Sequence, residues 1–244
     1  NREIYQHTTN GNRYVNLLRD NTSYNNNMKA IIFDVETTGL PKKRGASINE
    51  SKWWPHIVQI SWMVFDIERN KVEKVRDYII KLPSNIFIPP SATKIHGINR
   101  EIPNEKGITI KKALKYFTDD LMRTNFLVAH NINFDVTMLS AEYHRNKQID
   151  WIGRYRGRKI CTMKLGNAIC NIKYIHPMTG KTYKKYPKLV ELHNHLFNSV
   201  PENLHNSLID VYVCFRCFYK LVYENDYNEN NPVFSRRYKF LSSI

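Results

Sequence analysis

The sequence contains no uninterrupted apolar run of about 18 residues, the minimum for a membrane-spanning helix, so we expect no contact with a membrane. Residues 1–20 are polar and lack the apolar core of a signal peptide. This favours an intracellular, cytoplasmic protein and leaves a nuclear or viral compartment open. The hydrophobic fraction of 42% still allows a sizeable core, and 244 residues fit one α/β domain with extensions or at most two small domains.

Cysteine is scarce, with four residues in the whole chain, which argues against a disulfide-rich scaffold. Cys214 and Cys217 form a C-x-x-C, but this pair lies inside the apolar run Val211–Val222, where helical spacing directs both side chains toward a core. No second pair has the spacing of zinc ligands. We therefore expect reduced, packed thiols and no zinc site.

Acidic residues are also few: 22 Asp and Glu face 37 Lys and Arg, for a formal net charge of +15. A domain this basic usually meets a polyanion, and nucleic acid is the most common one. The alternative is a basic surface that only keeps the protein soluble. Charge alone leaves both interpretations open and favours nucleic acid.

The chain divides into three parts by composition. Residues 1–27 are polar and predict an extension or linker, with a short helix around Arg13–Arg19. A compact domain is expected over 28–223. The segment 224–244 turns polar and then basic, which predicts a C-terminal tail.

Hydrophobic patterns within the domain indicate strands first and helices later. A mixed β-sheet flanked by helices, and thus an α/β fold, is the expected architecture. The predicted strands are Ala30–Val35, Ile57–Phe65 with Lys71–Ile80 as a hairpin, and Phe126–Ala129; the predicted helices are Ile110–Met122, Asp135–Tyr143, Leu189–Phe197 and Leu208–Val222.

Two carboxylates end the first predicted strand. Asp34 and Glu36 are two residues apart, so their side chains face the same side of the strand. Carboxylates this close repel each other and resist joint ionisation unless a cation lies between them, and hard divalent cations prefer oxygen ligands. The sequence therefore favours a metal site over the alternative, a solvated strand end that leads into a turn.

Two later segments add acids and a histidine. Asp135 follows the strand Phe126–Ala129 at a helix start, where an Asp is commonly only an N-cap. Asp210 lies early in an apolar helix, where an unpaired buried carboxylate is costly and a cation would remove the cost. His205 precedes that helix, and taken alone it is more simply a helix-start residue bonded to the backbone.

These residues belong to three motifs, D-x-E-T-T-G, H-N-x-x-F-D and H-x-x-x-x-D, in this order. The ordered set resembles the DEDDh exonucleases, the DnaQ-like branch of the RNase H-like superfamily, from about Met28 to Val222. An RNase H-like exonuclease fold is therefore expected. Supporting matches lie between the motifs: Ile57-Val58-Gln59-Ile60, Ile95-His96-Gly97-Ile98 and Pro187-Lys188-Leu189.

The resemblance implies a two-metal 3′→5′ exonuclease that releases nucleoside 5′-monophosphates. Asp34, Glu36 and Asp210 would hold one Mg²⁺ or Mn²⁺, Asp34 would bridge to a second ion, and Asp135 would act on that second ion. His205 would be the general base. The substrate would be a nucleic acid with a 3′ end, DNA or RNA, with single-stranded ends favoured.

The resemblance also places substrate contacts. Thr37 would meet the terminal 3′-hydroxyl, and the other side chains would surround or stack on the last bases; core packing is the alternative for Leu40, Ile95 and Phe134. Trp53 and Trp54 could meet bases or pack locally. The contacts implied by the family are Thr37, Leu40, Ile95, His96, Asn131 and Phe134.

One segment and two rival functions remain outside this scheme. The stretch 153–187 is rich in Lys, Arg and Tyr and is longer than a minimal family member needs, which predicts a groove that follows the substrate strand or, alternatively, a solvated basic loop. The rivals within the fold are a non-catalytic nucleic-acid-binding domain and a proofreading partner of a polymerase. A basic interaction protein with solvated carboxylates is the rival from another class.

Overall fold

The computed structural model describes residues 28–243, so the expected linker 1–27 and its short helix at Arg13–Arg19 lie outside the described residues. None of the helices within the described part is long and apolar enough to cross a membrane. A six-stranded mixed sheet forms the centre of the domain. Its strands are β1 (Lys29–Thr37), β2 (Ile57–Asp66), β3 (Lys71–Lys81), β4 (Ile108–Thr109), β5 (Phe126–Ala129) and β6 (Arg158–Cys161).

The strand order is β4-β3-β2-β1-β5-β6. β1, β2 and β3 form an antiparallel meander, and the turn between β2 and β3 contains Asn70 in a left-handed conformation, as the predicted hairpin requires. β5 pairs in parallel with β1 and with β6. The carboxyl ends of β1 and β5 consequently meet at one edge of the sheet.

Helices cover both faces of the sheet, which confirms the predicted α/β class with a mixed sheet flanked by helices. Two strands outside the main sheet, β7 (Lys173–Ile175) and β8 (Thr182–Lys184), form a separate antiparallel hairpin. The helices are α1 (Pro90–His96), α2 (Glu101–Lys106), α3 (Ile110–Leu121), α4 (Ile132–Arg145), α5 (Thr162–Cys170), α6 (Leu189–Phe197), α7 (Ser207–Tyr223), α8 (Tyr227–Asn230) and α9 (Pro232–Ser242).

Alternation along β1 creates two cores. Ile31 and Phe33 face α3 and α4, where they join one buried cluster. Ala30 and Ile32 face the other side, where α7 lies, and join a second cluster. Cys214 and Cys217 are buried on α7 in this second cluster, so the expectation of packed thiols holds.

Two segments within the predicted domain 28–223 differ from the sequence-based expectation. The helix predicted from Asp135 begins at Ile132, so Asp135 lies within its first turn. The basic stretch 153–187 is not one loop but contains β6, α5 and the β7–β8 hairpin. Only Pro177 and Gly180 mark a boundary between these elements, because they lie between β7 and β8.

The segment 224–244 was expected as a basic tail, but its described residues fold into α8 and α9 against α7. Tyr227, Phe234 and Tyr238 are buried in the same cluster as the apolar face of α7. Arg216 on α7 donates to both carboxylate oxygens of Asp226 at 2.9 and 3.1 Å. Aromatic residues spaced between the basic ones provide the apolar side of α9, and the cations remain on its outer side.

The packing of α9 predicts that Phe234→Ala lowers the free energy of unfolding by about 3–5 kcal/mol, because it leaves a cavity within an aromatic cluster. Phe240→Ala is the matched control on the same helix. Its ring is 54% exposed, and its removal should change stability by about 0.5 kcal/mol or less. Urea unfolding measures both variants. Equal, small effects would show that α9 lies outside the cooperative core.

Candidate active site

The first pair of acids continues an apolar row along β1. Ala30 and Ile32 point toward α7, and the next two side chains on that face are Asp34 and Glu36. The row therefore changes from apolar to acidic at the carboxyl end of the strand. Gly39, with φ of 140°, then lets the chain turn away, and the Thr37 hydroxyl donates to the Gly39 carbonyl at 2.7 Å.

The second motif brings Asp135 to the same end of the sheet. β5 ends at Ala129, and Asn131 adopts a left-handed conformation before α4 begins. Asp135 is 3% exposed, and its Oδ1 accepts a hydrogen bond from the Val35 backbone N–H at 3.3 Å. Its carboxylate is therefore directed at β1, between the two acidic residues of that strand, rather than serving as the N-cap residue of its own helix.

The third motif closes the site from the side of α7. Asp210 lies in the first turn of this helix, and its Oδ2 accepts from the backbone N–H of His205 at 3.2 Å. His205 has φ of 73° and an exposed side chain. The left-handed residue reverses the chain just before the helix, so His205 and Asp210 lie next to each other at its start.

The donor set fits a divalent cation. Glu36, His205 and Asp210 each offer one ligand atom, and these atoms lie within 4.8 Å of one another. Asp34 Oδ2 and Asp210 Oδ1 are buried and have no hydrogen-bond partner in the described part of the chain. Buried carboxylate oxygens are rarely left unpaired, and hard divalent cations satisfy such oxygens.

The carboxylates disturb one another's ionisation. Burial, followed by the charges of Asp135, Asp210 and Glu36, raises the pKa of Asp34 well above its ordinary value. Burial is also the main reason that the pKa of Glu36 rises to about 8 and that of Asp210 to about 7. The pKa of Asp135 is likewise raised by burial, against the opposing hydrogen bond from Val35.

A buried amide that the sequence analysis did not single out as functional joins α7 to the sheet. Gln59 on β2 is 1% exposed; its Oε1 accepts from the Ser207 N–H at 3.2 Å and its Nε2 donates to Asp77 at 2.8 Å. The Ser207 hydroxyl donates to the backbone carbonyl of Asp34 at 2.7 Å. These bonds hold the start of α7 against β1 and β2. The sequence feature that could have identified Gln59 is its position as a polar residue within a mostly apolar strand.

The expected substrate contacts surround this edge. Thr37 and His96 are both buried. Burial lowers the pKa of His96, and a hydrogen bond with the Thr37 backbone opposes this effect only in part. Gly97, with φ of 75°, ends α1 directly after His96. Leu40 and Ile95 are 78% and 57% exposed, so core packing, the alternative considered for both, is wrong.

The other candidate substrate contacts differ in their exposure. Asn131 is exposed, and Phe134 is half-buried against the core cluster under α4. Trp53 and Trp54 anchor the loop between β1 and β2, because their indole N–H groups donate to Glu50 at 3.2 Å and to the Ser47 carbonyl at 2.9 Å. The local role of the tryptophans is therefore the one that the structure supports.

The sheet is mixed and six-stranded, and four acidic side chains converge at the carboxyl ends of two adjacent central strands. This arrangement defines an RNase H-like α/β domain with an acidic centre. Residues 31–218 match the sequence pattern of the RNase T exonuclease family. The chain belongs to this exonuclease family, which is metal-dependent, and the DnaQ-like resemblance is confirmed. No curated protein matches the chain significantly.

Solved structures show the same fold in larger proteins. Exonuclease I of Methylocaldum szegediense has 17% identity and a TM-score of 0.59 over 81% of this chain and 41% of its own. E. coli exonuclease I in complex with a dA16 oligonucleotide has 16% identity and a TM-score of 0.60 over 88% of this chain and 43% of its own. The zinc-bound form of the E. coli exonuclease I complex with single-stranded DNA has 17% identity and a TM-score of 0.58 over 81% of this chain and 42% of its own. The chain thus spans less than half the length of these structures.

The burial of Asp34 and the repulsion from its neighbouring carboxylates predict that Asp34→Asn raises the free energy of unfolding at pH 8 in EDTA. The folded-state pKa values exceed the unfolded ones, so the metal-free wild type loses stability as pH rises from about 4 toward about 8. Removing one charge should recover at least about 1.4 kcal/mol, the value of one pKa unit. The gain should vanish near pH 4.

Urea unfolding at several pH values in EDTA measures this effect. Asp119→Asn is the control, because Asp119 is an exposed acid on α3 and its loss should change stability little at any pH. A destabilised Asp34→Asn protein at pH 8 would show that favourable contacts of Asp34 outweigh the repulsion.

Proposed function

We propose that the chain is a 3′→5′ exonuclease of the DEDDh type, which hydrolyses nucleic-acid ends to nucleoside 5′-monophosphates. The observation that carries the proposal is the convergence of four carboxylates, two of them with unpaired buried oxygens, beside an exposed histidine. Family membership supports a nuclease, and the acidic centre supplies the chemistry for it.

Two divalent cations, Mg²⁺ or Mn²⁺, fit this donor set. Asp34, Glu36 and Asp210 would hold one ion, and Asp34 together with Asp135 would hold the other. When bound, the ions lower the pKa of a water molecule and neutralise charge that builds on the scissile phosphate. The raised pKa values of Asp34 and Glu36 fit this role, because cations provide the countercharge that the protein itself lacks there.

His205 is the general base in this proposal. It is exposed, so it can pass the proton that it takes from the attacking water to solvent. Its backbone N–H is bound to Asp210, which keeps the imidazole near the metal-binding carboxylates. A histidine suits this task because a neutral imidazole has a ring nitrogen that can accept a proton.

The surrounding residues would receive the 3′ end. Thr37 lies one residue beyond Glu36 and would meet the terminal hydroxyl, with His96 beside it. The exposed side chains of Leu40 and Ile95 would contact the last bases, and Asn131 and Phe134 would line the side of α4. Apolar contacts with base faces tolerate any sequence. The E. coli exonuclease I complexes with oligonucleotides support a nucleic-acid substrate.

Asp210→Asn should abolish the release of mononucleotides, because it removes one carboxylate ligand and leaves the apolar face of α7 unchanged. The measurement uses oligonucleotides labelled at either end, with Mg²⁺, Mn²⁺ or EDTA. A 3′→5′ enzyme releases a 3′ label at once and shortens a 5′-labelled strand gradually.

Asp119→Asn, the exposed acid used above, should keep wild-type turnover. Binding without turnover in the wild type with either metal would instead support the rival, a non-catalytic binding domain. Full activity of Asp210→Asn would refute the assigned metal site.

His205→Ala should lower the rate by about a hundredfold or more, within the usual effect of losing a general base. Metal affinity, measured by calorimetry, should remain. His195→Ala is the control, because His195 lies on α6 and takes no part in the acidic centre. If metal affinity fell together with the rate, His205 would be a ligand instead.

A further inference from the structure

The β7–β8 hairpin is a surface element that the proposed chemistry does not use. Its strands pair in the register Lys173 with Lys184, Tyr174 with Tyr183 and Ile175 with Thr182. All six of these residues are exposed, and none joins a core cluster within the described part of the protein. A two-stranded hairpin alone is at best marginally stable in water, so packing does not explain its presence.

The root of the hairpin is tied to the edge of the sheet that carries the acids. His130 follows β5 directly, and its Nε2 lies 3.0 Å from the Pro187 carbonyl, while its Nδ1 lies 2.9 Å from the Thr162 hydroxyl. Burial lowers the pKa of His130 to about 4, so the ring is neutral at pH 7. A carbonyl can only accept; Nε2–H therefore donates to Pro187 and Nδ1 accepts from Thr162.

The lysines of the hairpin are arranged unfavourably for an isolated protein. Lys173 and Lys184 are directly opposite each other on one face, and like charges in that position destabilise a strand pair. Lys181 lies next to the turn, and residues 171–190 contain no acidic residue. Within the described residues, these three lysines have no carboxylate partner, whereas Lys185 is paired with Glu191 at 2.6 Å.

We propose that the hairpin lysines Lys173, Lys181 and Lys184 bind the phosphate backbone of a single-stranded nucleic acid, upstream of the 3′ end that enters the acidic centre. The inference rests on the proposed function for the identity of that strand. Phosphates placed between Lys173 and Lys184 offset their repulsion. Tyr174 and Tyr183, side by side on the opposite face and about half exposed, favour a nucleic acid over an acidic polypeptide, because bases stack on aromatic rings.

The test compares two triple variants that remove the same charge. The hairpin variant is Lys173→Gln, Lys181→Gln and Lys184→Gln. The control is Lys71→Gln, Arg123→Gln and Lys147→Gln, three exposed cations that lie outside the hairpin. Affinity for a labelled 20-nucleotide single strand is measured by anisotropy in EDTA, which prevents turnover, over a series of salt concentrations.

The hairpin variant should bind about tenfold to a hundredfold more weakly at 0.1 M salt, and its slope of log K against log salt should fall by about 2, or about 0.7 for each lost phosphate contact. The control should lose much less. With Mg²⁺ present, both variants should cleave a dinucleotide at the wild-type rate, because this substrate is too short to reach the hairpin.

Equal affinities and slopes for the two variants would overturn the inference. Polyglutamate that competes as well as an unlabelled oligonucleotide would also overturn it and would assign the face to an acidic polypeptide. Failure of the wild type to release mononucleotides from the 20-nucleotide strand with Mg²⁺ would refute the proposed function without affecting the binding result, so the two failures are distinguishable.

Discussion

Desolvation and mutual repulsion of four clustered carboxylates form the constraint around which this domain is arranged. Asp34 and Glu36 come from the end of β1, whereas Asp135 and Asp210 come from the starts of two helices, and the pKa of each of the four is raised. Such a cluster destabilises the folded chain unless cations are present. The surrounding structure must therefore keep the carboxylates together by interactions that do not depend on them.

Two kinds of interaction meet this demand. The apolar rows on both sides of β1 are deeply buried. A shift of the strand by one residue would move Ile31 and Phe33 into the opposite core and turn Asp34 and Glu36 away from α7, so packing fixes the register. Hydrogen bonds then fix the helices, because Gln59 and Ser207 attach α7 to β2 and β1. The backbone N–H of Val35 directs Asp135 to the same place.

Two elements extend this scaffold beyond its centre. α8 and α9 enlarge the core under α7 through Tyr227 and Phe234, and thereby support the helix that carries Asp210. The β7–β8 hairpin adds no core but is anchored through His130 to the end of β5. The helices α8 and α9 thus contribute to stability, whereas the β7–β8 hairpin presents exposed cations from a root at the acidic edge.

The sequence by itself determined the strands of the sheet centre and the main helices, because these depend on hydrophobic periodicity. The acidic residues were predicted from their chemistry together with the resemblance of three ordered motifs to the DEDDh exonucleases. The sequence also indicated that Asp34 and Glu36 share a face, since side chains alternate along a strand. The tertiary structure alone decided which segments meet. Gln59 and Ser207 are 148 residues apart, and no local pattern predicts their contact. The C-terminal helices were hidden for a related reason: the aromatic residues of 224–244 are interrupted by polar and basic ones, so only their burial against α7 shows that they belong to the core.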